Sequence, residues 1–477
     1  MSGEEPVKPP PVAVPVVTPE PPPPPVREPR PEPTPPPPVP KPTPTPQGKA
    51  RLSASIDALG ALVRDHPGIV GLRLRNTGKG PSEELSATVA LPPGVTLLSG
   101  ARRGSALALV KPVGSVDGWS CRAQSGGATC VRRPLAARAS TAVFLRVRVD
   151  ASAPEGAGPA VHVNSGGVRL RAAATVGVQA EGAPARFATD GKVLVRSIGN
   201  TLLSCPQARD GCEEARERRG GRRDNDLWPM RRVDEDDVAR TTASSGARLD
   251  LPPGSQIVWA GLYWSAGTPK GGPIEFRPPG RKKYSLIQPT QVTVRPLPAG
   301  SGYQAFADVT ALVSAGDRKG MWWAADAPVK QGVSQHAGWS LMVIATDPGQ
   351  PYSQVVVLDT ATQVGGEDDE PGRVDLPLGG LSPAAAPARV DLVTWEGDAD
   401  LRGDRVLVGG TPLVPAAGDR RVDNAFDGSA NGADKLTFGV DVDTFSGELG
   451  DRPRLSIVTR RDAVLFGVVA VSVRTRS

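Results

Sequence analysis

Four acidic groups lie in turn-like stretches of the sequence: Asp224 and Asp226 in "RDND", Asp234, Asp236 and Asp237 in "VDEDD", Asp398, Asp400 and Asp404 in "EGDADLRGD", and Asp441 with Asp443 in "VDVD". Calcium takes about six to eight oxygens, and alternating aspartates in one loop supply several, with backbone carbonyls adding more. Asp398, Asp400 and Asp404 are therefore the candidate ligands of a structural calcium, with solvated turn acids as the competing reading. None of the stretches is an EF-hand loop, because the central glycine and the closing glutamate are missing.

Other chemistry is sparse. The sequence has no G-x-S-x-G elbow, no H-E-x-x-H, no phosphate-binding Walker loop and no G-x-G-x-x-G after a strand. Glu396 and Asp398 are close enough in sequence to suggest the carboxylate pair of a glycosidase, but local spacing establishes neither a cleft nor the required separation. His336 in "SQHAGWSL" is the one histidine of the C-terminal part, and reads as a satisfied turn or core residue rather than a general base. A noncatalytic protein with no cofactor beyond calcium is the expectation.

Aromatic residues are few, yet "QIVWAGLYWSAG" holds Trp259, Tyr263 and Trp264 within six residues. Strict alternation puts Ile257, Trp259, Gly261 and Tyr263 on one face and Val258, Ala260, Leu262 and Trp264 on the other, so both faces are apolar. Such a strand belongs in the centre of a covered sheet. A sugar-binding platform is the weaker reading, because the run offers no polar partners. In "MWWAAD", Trp322 and Trp323 point to opposite faces, and one of them is the better candidate for an exposed binding aromatic.

The four cysteines form two close pairs, Cys121 with Cys130 and Cys205 with Cys212, neither spaced C-x-x-C. With three histidines in the chain a zinc cage is hard to assemble, so two local disulfides and an oxidising compartment are expected. No apolar run is long enough to span a bilayer, and "MSGEEPVKPPP" has neither the basic start nor the apolar core of a secretory signal. The expected location is extracellular or in the cell envelope, without a visible signal.

The elements that must position these residues are strands. With 55 glycines and 52 prolines separating short Val- and Leu-rich runs, the 477-residue chain reads as all-β. Its net charge of +6 is spread among both signs without interleaved aromatics, which excludes a nucleic-acid partner as the default. The densest charged stretch, "CEEARERRGGRRDND", reads as a solvated loop. Residues 1–48 are a disordered proline-rich stalk of extended polyproline character.

Residues 51–180 alternate clearly. Leu72 and Leu74 face one way and Arg73 and Arg75 the other; Val143, Leu145, Val147 and Val149 face inward and Arg146 and Arg148 outward. Roughly seven such strands suggest an immunoglobulin-like sandwich. Residues 187–477 carry ten strand-like runs, from "KVLVRSIGN" to "AVLFGVVAVSVRT", and form a larger β-sandwich or jelly roll.

The first module resembles the conserved-repeat Ig-like domain of bacterial surface proteins, a domain of unknown function. The resemblance rests on Asn76-Thr77-Gly78, the turn Leu91-Pro92-Pro93-Gly94, and the Trp-Ser-Cys to Cys pair at Cys121 and Cys130, which flank a hairpin turn read at Gly126-Gly127. The order of "SIGNTLLSCP", "RDNDLWPMRRVDEDD", "FADVTALV", "HAGWSLMVIATD" and "DVDTFSGEL" is similar to an adhesin-like module of such proteins. The resemblance implies a surface location and no assigned activity. The resulting expectation is an exported envelope protein of structural or adhesive role, whose partners are an envelope or extracellular polysaccharide or protein. The alternatives are a carbohydrate-binding module and, less favoured, a polysaccharide hydrolase. The final "FGVVAVSVRTRS" reads as a strand rather than a sorting tail.

Overall fold

The computed structural model describes residues 48–475, apart from 99–108, 111–116, 367–370, 382–385, 418–419 and 451–452. The proline-rich stretch, Gly48 excepted, lies outside the described residues. The regular secondary structure of the rest is nearly all strand. Its helices are the five-residue Cys212–Arg216 and Thr310–Ser314, with a single 3-10 turn at Asn225–Leu227. No helix among the described residues is long and apolar enough to cross a membrane.

The first module is a sandwich of two antiparallel sheets. One runs in the order Leu52–Ala58, Pro67–Asn76, Ser140–Val149, Val95–Leu97; the other in the order Val168–Ala173, Ala160–Ser165, Leu85–Ala90, Gly127–Arg132, Trp119–Gln124, Leu109–Val110. Leu72, Leu74, Val143, Leu145, Val147 and Val149 fill its core as their alternation requires. Asn76 is fully buried: its Nδ2 donates to the carbonyls of Gly80, Leu135 and Ala136, and its Oδ1 accepts from the backbone of Arg51 and Gly78. One side chain thus ties together three loop segments. Cys121 and Cys130 sit directly opposite in their ladder, with Cα atoms 4.0 Å apart, and are disulfide-bonded. The hairpin turn is one residue earlier than the sequence suggests. Gln124 pairs with Gly127, leaving Ser125 and Gly126 as the turn, with Gly126 at φ 69°. Gly127 opens the next strand, where an added Cβ would lie 1.9 Å from the Val89 carbonyl.

The second module is built on a ten-stranded sheet in the order Gln291–Leu297, Gly300–Asp308, Ile257–Ala266, Ala337–Thr346, Ala185–Thr201, Tyr352–Val364, Val464–Arg474, Ala388–Trp395, Val440–Gly447, Val414–Pro415. Two four-stranded sheets accompany it. One has the order Ser244–Asp250, Lys319–Ala325, Ile274–Arg277, Ser285–Ile287; the other Gly372–Pro377, Arg454–Thr459, Arg405–Val408, Thr411–Pro412. Alternate residues of Ala337–Thr346 enter two different cores. Trp339, Leu341 and Val343 pack with Trp322 and Phe276 of the first small sheet, whereas Met342 and Ile344 join the core that holds Leu455 and Ile457 of the second.

The strand Ile257–Ala266 is central, between Gly300–Asp308 and Ala337–Thr346, and both of its faces are covered. Trp259 and Tyr263 lie in one core; Ala260, Leu262 and Trp264 lie in the other. Its aromatics therefore fill cores and do not form a platform. One detail departs from alternation: a bulge between Ile257 and Trp259 puts Val258 on the Trp259 side and Ile257 on the opposite side. Of the neighbouring tryptophans, Trp322 is fully buried and Trp323 is half-buried, with the Arg277 guanidinium 5.5 Å from its ring centroid.

The expectation that arginines on the first module's outer face are solvated holds at Arg148 and fails at Arg73, Arg75 and Arg146, which are half-buried. The cause is the second module, which covers that sheet. Ile69, Ala142 and Phe144 share one core with Phe187, Val356 and Leu358. Residues Gln47–Ser477 accordingly form one compact unit, and the junction near residues 180–187 is a change of sheet rather than a hinge.

Asp190 lies in this seam at 4% exposure, facing Arg73 and Tyr352. Burial pushes its carboxyl up to about 6 despite the opposing Arg73 charge and a hydrogen bond from Tyr352. A raised carboxyl favours folding while protonated, so this contribution is complete below the ordinary value of 3.8 and is lost as pH rises through about 6. Asp190→Asn is expected to match the wild type in thermal melts at about pH 4 and to exceed it by a few degrees at about pH 7.5. Equal melting temperatures at both pH values would show that the seam does not strain this carboxylate.

Candidate functional site

Leaving Ala388–Trp395, the chain turns sharply at Glu396, which has φ 73°, and runs through Gly397, Asp398 and Asp400 to Asp404 before Arg405–Val408 begins. A positive φ at a non-glycine residue is strained, and it persists only where surrounding contacts impose it. Here they do. The Glu396 amide donates to the Gly439 carbonyl at 2.7 Å, and the Glu396 Oε2 accepts from Asn225 Nδ2 at 2.9 Å and lies 2.9 Å from His336 Nδ1. Gly397 must be glycine for lack of space: a Cβ there would sit 2.3 Å from Asp441 Oδ2 and 2.6 Å from Phe426 Cβ.

The loop is fixed to two other segments. The Asp398 amide donates to Asp462 Oδ2 at 3.0 Å, Asn424 Nδ2 donates to the Ala399 carbonyl at 3.1 Å, and the Ala425 amide donates to the Asp404 carbonyl at 3.1 Å. Asp398, Asp404, Asp462 and Asn424 are exposed by 6%, 1%, 4% and 5%. Asp224, half-buried at the start of the 3-10 turn, hydrogen-bonds Asp398 from a fourth segment. The site therefore holds two of the three residues that the sequence singles out, Asp398 and Asp404. Asp400 is exposed. Burial overturns the reading of Asp398 and Asp404 as solvated turn acids.

Several oxygens in this cluster have no hydrogen-bond partner among the described residues: Asp398 Oδ1, both carboxylate oxygens of Asp404, and Asn424 Oδ1. Burial raises Asp404 to about 7. It also raises Asp224 to about 6, with the charges of Asp226 and Asp400 adding to the effect. Asp398 is held well above the usual carboxylate range by burial and then by Asp462, Asp224 and Glu396; Asp462 is held there by burial and then chiefly by Asp404. Burial is the largest cause for all four, and for Asp224, Asp398 and Asp462 the charges of neighbouring acids add to it. As the side chains stand, no three His, Cys, Asp or Glu residues among those described converge tightly enough to enclose a metal ion. The donor set is all oxygen, which suits a hard cation rather than zinc or copper.

Four of the other aspartates are engaged in hydrogen bonds or ion pairs. Asp234 accepts from Ser244 Oγ at 2.7 Å, and Asp236 accepts from the Val238 amide at 2.9 Å, so both brace a turn. Asp441, fully buried, accepts from the Gly428 amide at 2.8 Å; Asp443 pairs with Arg420. The charged stretch after Cys205 is more ordered than a solvated loop. Cys205 and Cys212 are disulfide-bonded, Cys212, Ala215 and Trp228 are buried, and Arg222 stacks 3.9 Å from the Trp228 ring centroid.

Sequence reasoning missed one constellation. Ser265 Oγ lies 3.1 Å from His336 Nε2, and His336 Nδ1 meets Glu396. These atoms have the order of a hydrolytic Ser-His-acid triad. Ser265 is 0% exposed and His336 is 1% exposed, however, so no substrate reaches the hydroxyl in this conformation. The chain instead joins the central sheet to the strained turn at Glu396. Glu396 and Asp398 belong to this network and to the acidic cluster, not to the two sides of an open cleft.

A separate cavity of about 380 Å³ lies where the two modules meet, lined by Arg146, Arg148, Arg186, Trp259, Phe306 and others. Arg186 pairs with Asp359 and stacks 4.2 Å from the Phe306 centroid. Burial, and then the like charge of Arg186, lowers the pKa of Arg146.

No family model matches the chain, and no curated protein matches it. Among solved structures, an inactive mutant of the GH20 exo-β-N-acetylglucosaminidase from Vibrio harveyi overlaps 32% of this chain and 24% of its own, at 14% identity and a TM-score of 0.16. A structure described as manganese lipoxygenase of Gaeumannomyces graminis with partial zonadhesin of Komagataella pastoris overlaps 65% of this chain and 89% of its own, at 8% identity and a TM-score of 0.19. The chain spans about a quarter of the length of the glycosidase. Overlaps this loose fix neither fold nor activity.

The turn at Gly397 offers a direct check on the site's packing. Gly397→Ala forces a methyl group against Asp441 and Phe426, and overpacking of this kind costs roughly 1–3 kcal/mol. A lower melting temperature with a preserved far-ultraviolet spectrum is expected; unchanged melting would mean that the loop is free to move.

Proposed function

We propose that this is an exported, noncatalytic protein of the cell envelope or cell surface, in which the immunoglobulin-like module supports a larger β module that presents loops for adhesion or assembly. The observation that carries the proposal is that all four cysteines are disulfide-bonded. Disulfides persist where the compartment is oxidising. The shared core between the modules supports a load-bearing role, since no flexible joint separates them. The resemblance of both modules to bacterial surface proteins points the same way. Intact mass before and after alkylation, with and without reduction, on protein from fractionated cells tests the proposal. Two disulfides in envelope or secreted material are expected; four free thiols in the cytoplasm would overturn it.

A second reading, binding of an envelope polysaccharide, is favoured by the arginine-lined cavity. Arg146 lacks a paired carboxylate within salt-bridge distance among the described residues, and aromatic walls flank it. That chemistry fits an anionic sugar such as a uronate. Under this reading alginate retards the protein in affinity electrophoresis, neutral dextran does not, and Arg146→Ala weakens binding at least about tenfold. Equal mobility in both gels would dismiss it.

A further inference from the structure

The two sheets of the first module meet different surroundings. The sheet holding Pro67–Asn76 is covered by the second module, whereas the six-stranded sheet keeps an exposed outer face. Strand register fixes what that face presents. Arg171, His162, Thr88, Thr129 and Arg122 stand opposite one another in turn across five neighbouring strands. The row beside it starts at Arg169 and continues through Asn164 and Ser86. Thr129 and Ser86 are half-buried and the rest of these side chains are exposed. Arg122 and Thr129 each adjoin a cysteine of the Cys121–Cys130 disulfide, so a covalent bond holds the two strands that carry them.

The charge of this sheet is one-sided. Its six strands contain no Asp or Glu, in a chain that has 50 of them, and they carry Arg122, Arg132, Arg169 and Arg171. Arg132 is neutralised by Asp117 at 3.4 Å; the other three make no ion pair or side-chain hydrogen bond among the described residues. Glu83 and Glu84 precede Leu85 and lie beyond the end of the sheet. A cationic face without acids attracts an anionic partner. We propose that it docks an extended acidic polysaccharide, whose carboxylates meet arginines at both ends of the row. Guanidinium forks match carboxylates, while the hydroxyls of Thr88 and Thr129, the His162 ring and the Asn164 amide offer donors and acceptors to sugar hydroxyls. The row crosses four strand steps, about 19 Å at about 4.8 Å each. One acidic sugar reaches one end only, and a polymer engages both. Nucleic acid fits less well, because Trp119 is the sheet's sole tryptophan, tyrosine or phenylalanine and is buried, leaving no ring on which a base stacks. The inference rests on neither the export reading nor the cavity between the modules.

The test measures binding of the full chain to immobilised alginate at about 0.15 M salt, with monomeric galacturonate in excess. The monomer fills a one-sugar cavity but cannot span the row, so the two sites are read separately. Saturable binding to alginate is expected, with none to neutral dextran. Arg122→Gln combined with Arg171→Gln should weaken it at least about tenfold. Lys282→Gln combined with Lys283→Gln takes the same charge from exposed positions of the second module, and should weaken it less than about twofold. All four positions are exposed, so both double variants should melt with the wild type. No binding in the presence of the monomer, an equal loss in the two double variants, or equally tight binding of duplex DNA at the same salt would overturn the proposal.

Discussion

A sheet that is apolar on both faces must be covered on both, and the rest of this molecule follows from meeting that requirement. Trp259 and Tyr263 face one way from their strand while Leu262 and Trp264 face the other, and both sets are buried to 3% exposure or less. Large aromatic side chains contribute most to such burial, at about 25 cal/mol per Å² of apolar surface. The ten-stranded sheet therefore cannot stand alone. It recruits a small sheet carrying Trp322 and Phe276, another carrying Leu455 and Ile457, and the outer face of the first module through Ile69, Ala142 and Phe144. That last contact turns two apparent domains into one folded unit. It also buries arginines that the first module alone would leave in water.

The same requirement explains what could be read from the sequence. Each of the ten apolar runs read in the second module overlaps a strand, with one or two residues of some runs beyond the strand ends, because period-two patterning and Val-rich runs are local properties. Strands such as Gly300–Asp308 and Gly372–Pro377 escaped, one beginning in glycines and serine and the other short and polar. The bulge at Ile257 was illegible for a different reason: a register shift is set by the neighbouring strand, not by the residues that move. The covering of Arg73 was equally hidden, since its own segment reads as an ordinary half-exposed strand.

The acidic site shows the limit most clearly. Asp398 and Asp404 stand out in "EGDADLRGD", but the partners that bury them are distant in sequence: Asp462 is 64 residues from Asp398, and Asn424 is 25 residues from Ala399. Asp400, which spacing ranks beside them, points into solvent. Alternation within a loop identifies oxygen-rich chain; it does not say which oxygens the fold will seal from water. That decision belongs to the turn at Glu396 and to the absence of a side chain at Gly397, which lets the loop close on Asp441 and Phe426.

The Ser265, His336 and Glu396 chain illustrates why atom order alone does not make an active site. A serine nucleophile works by reaching a substrate carbonyl, with donors placed for the developing oxyanion. Ser265 is instead fully buried near the end of the strand that also supplies Tyr263 and Trp264. What the geometry does provide is a polar connection through an otherwise apolar region. Glu396 receives Asn225 and meets His336, and so holds the backbone of its own turn in a conformation that an unsupported residue would abandon. The carboxylate two residues later is then carried into the buried cluster with its amide on Asp462. The polar chain and the acidic cluster are thus consecutive parts of one construction, in which a hydrogen-bonded network positions a set of buried carboxylates.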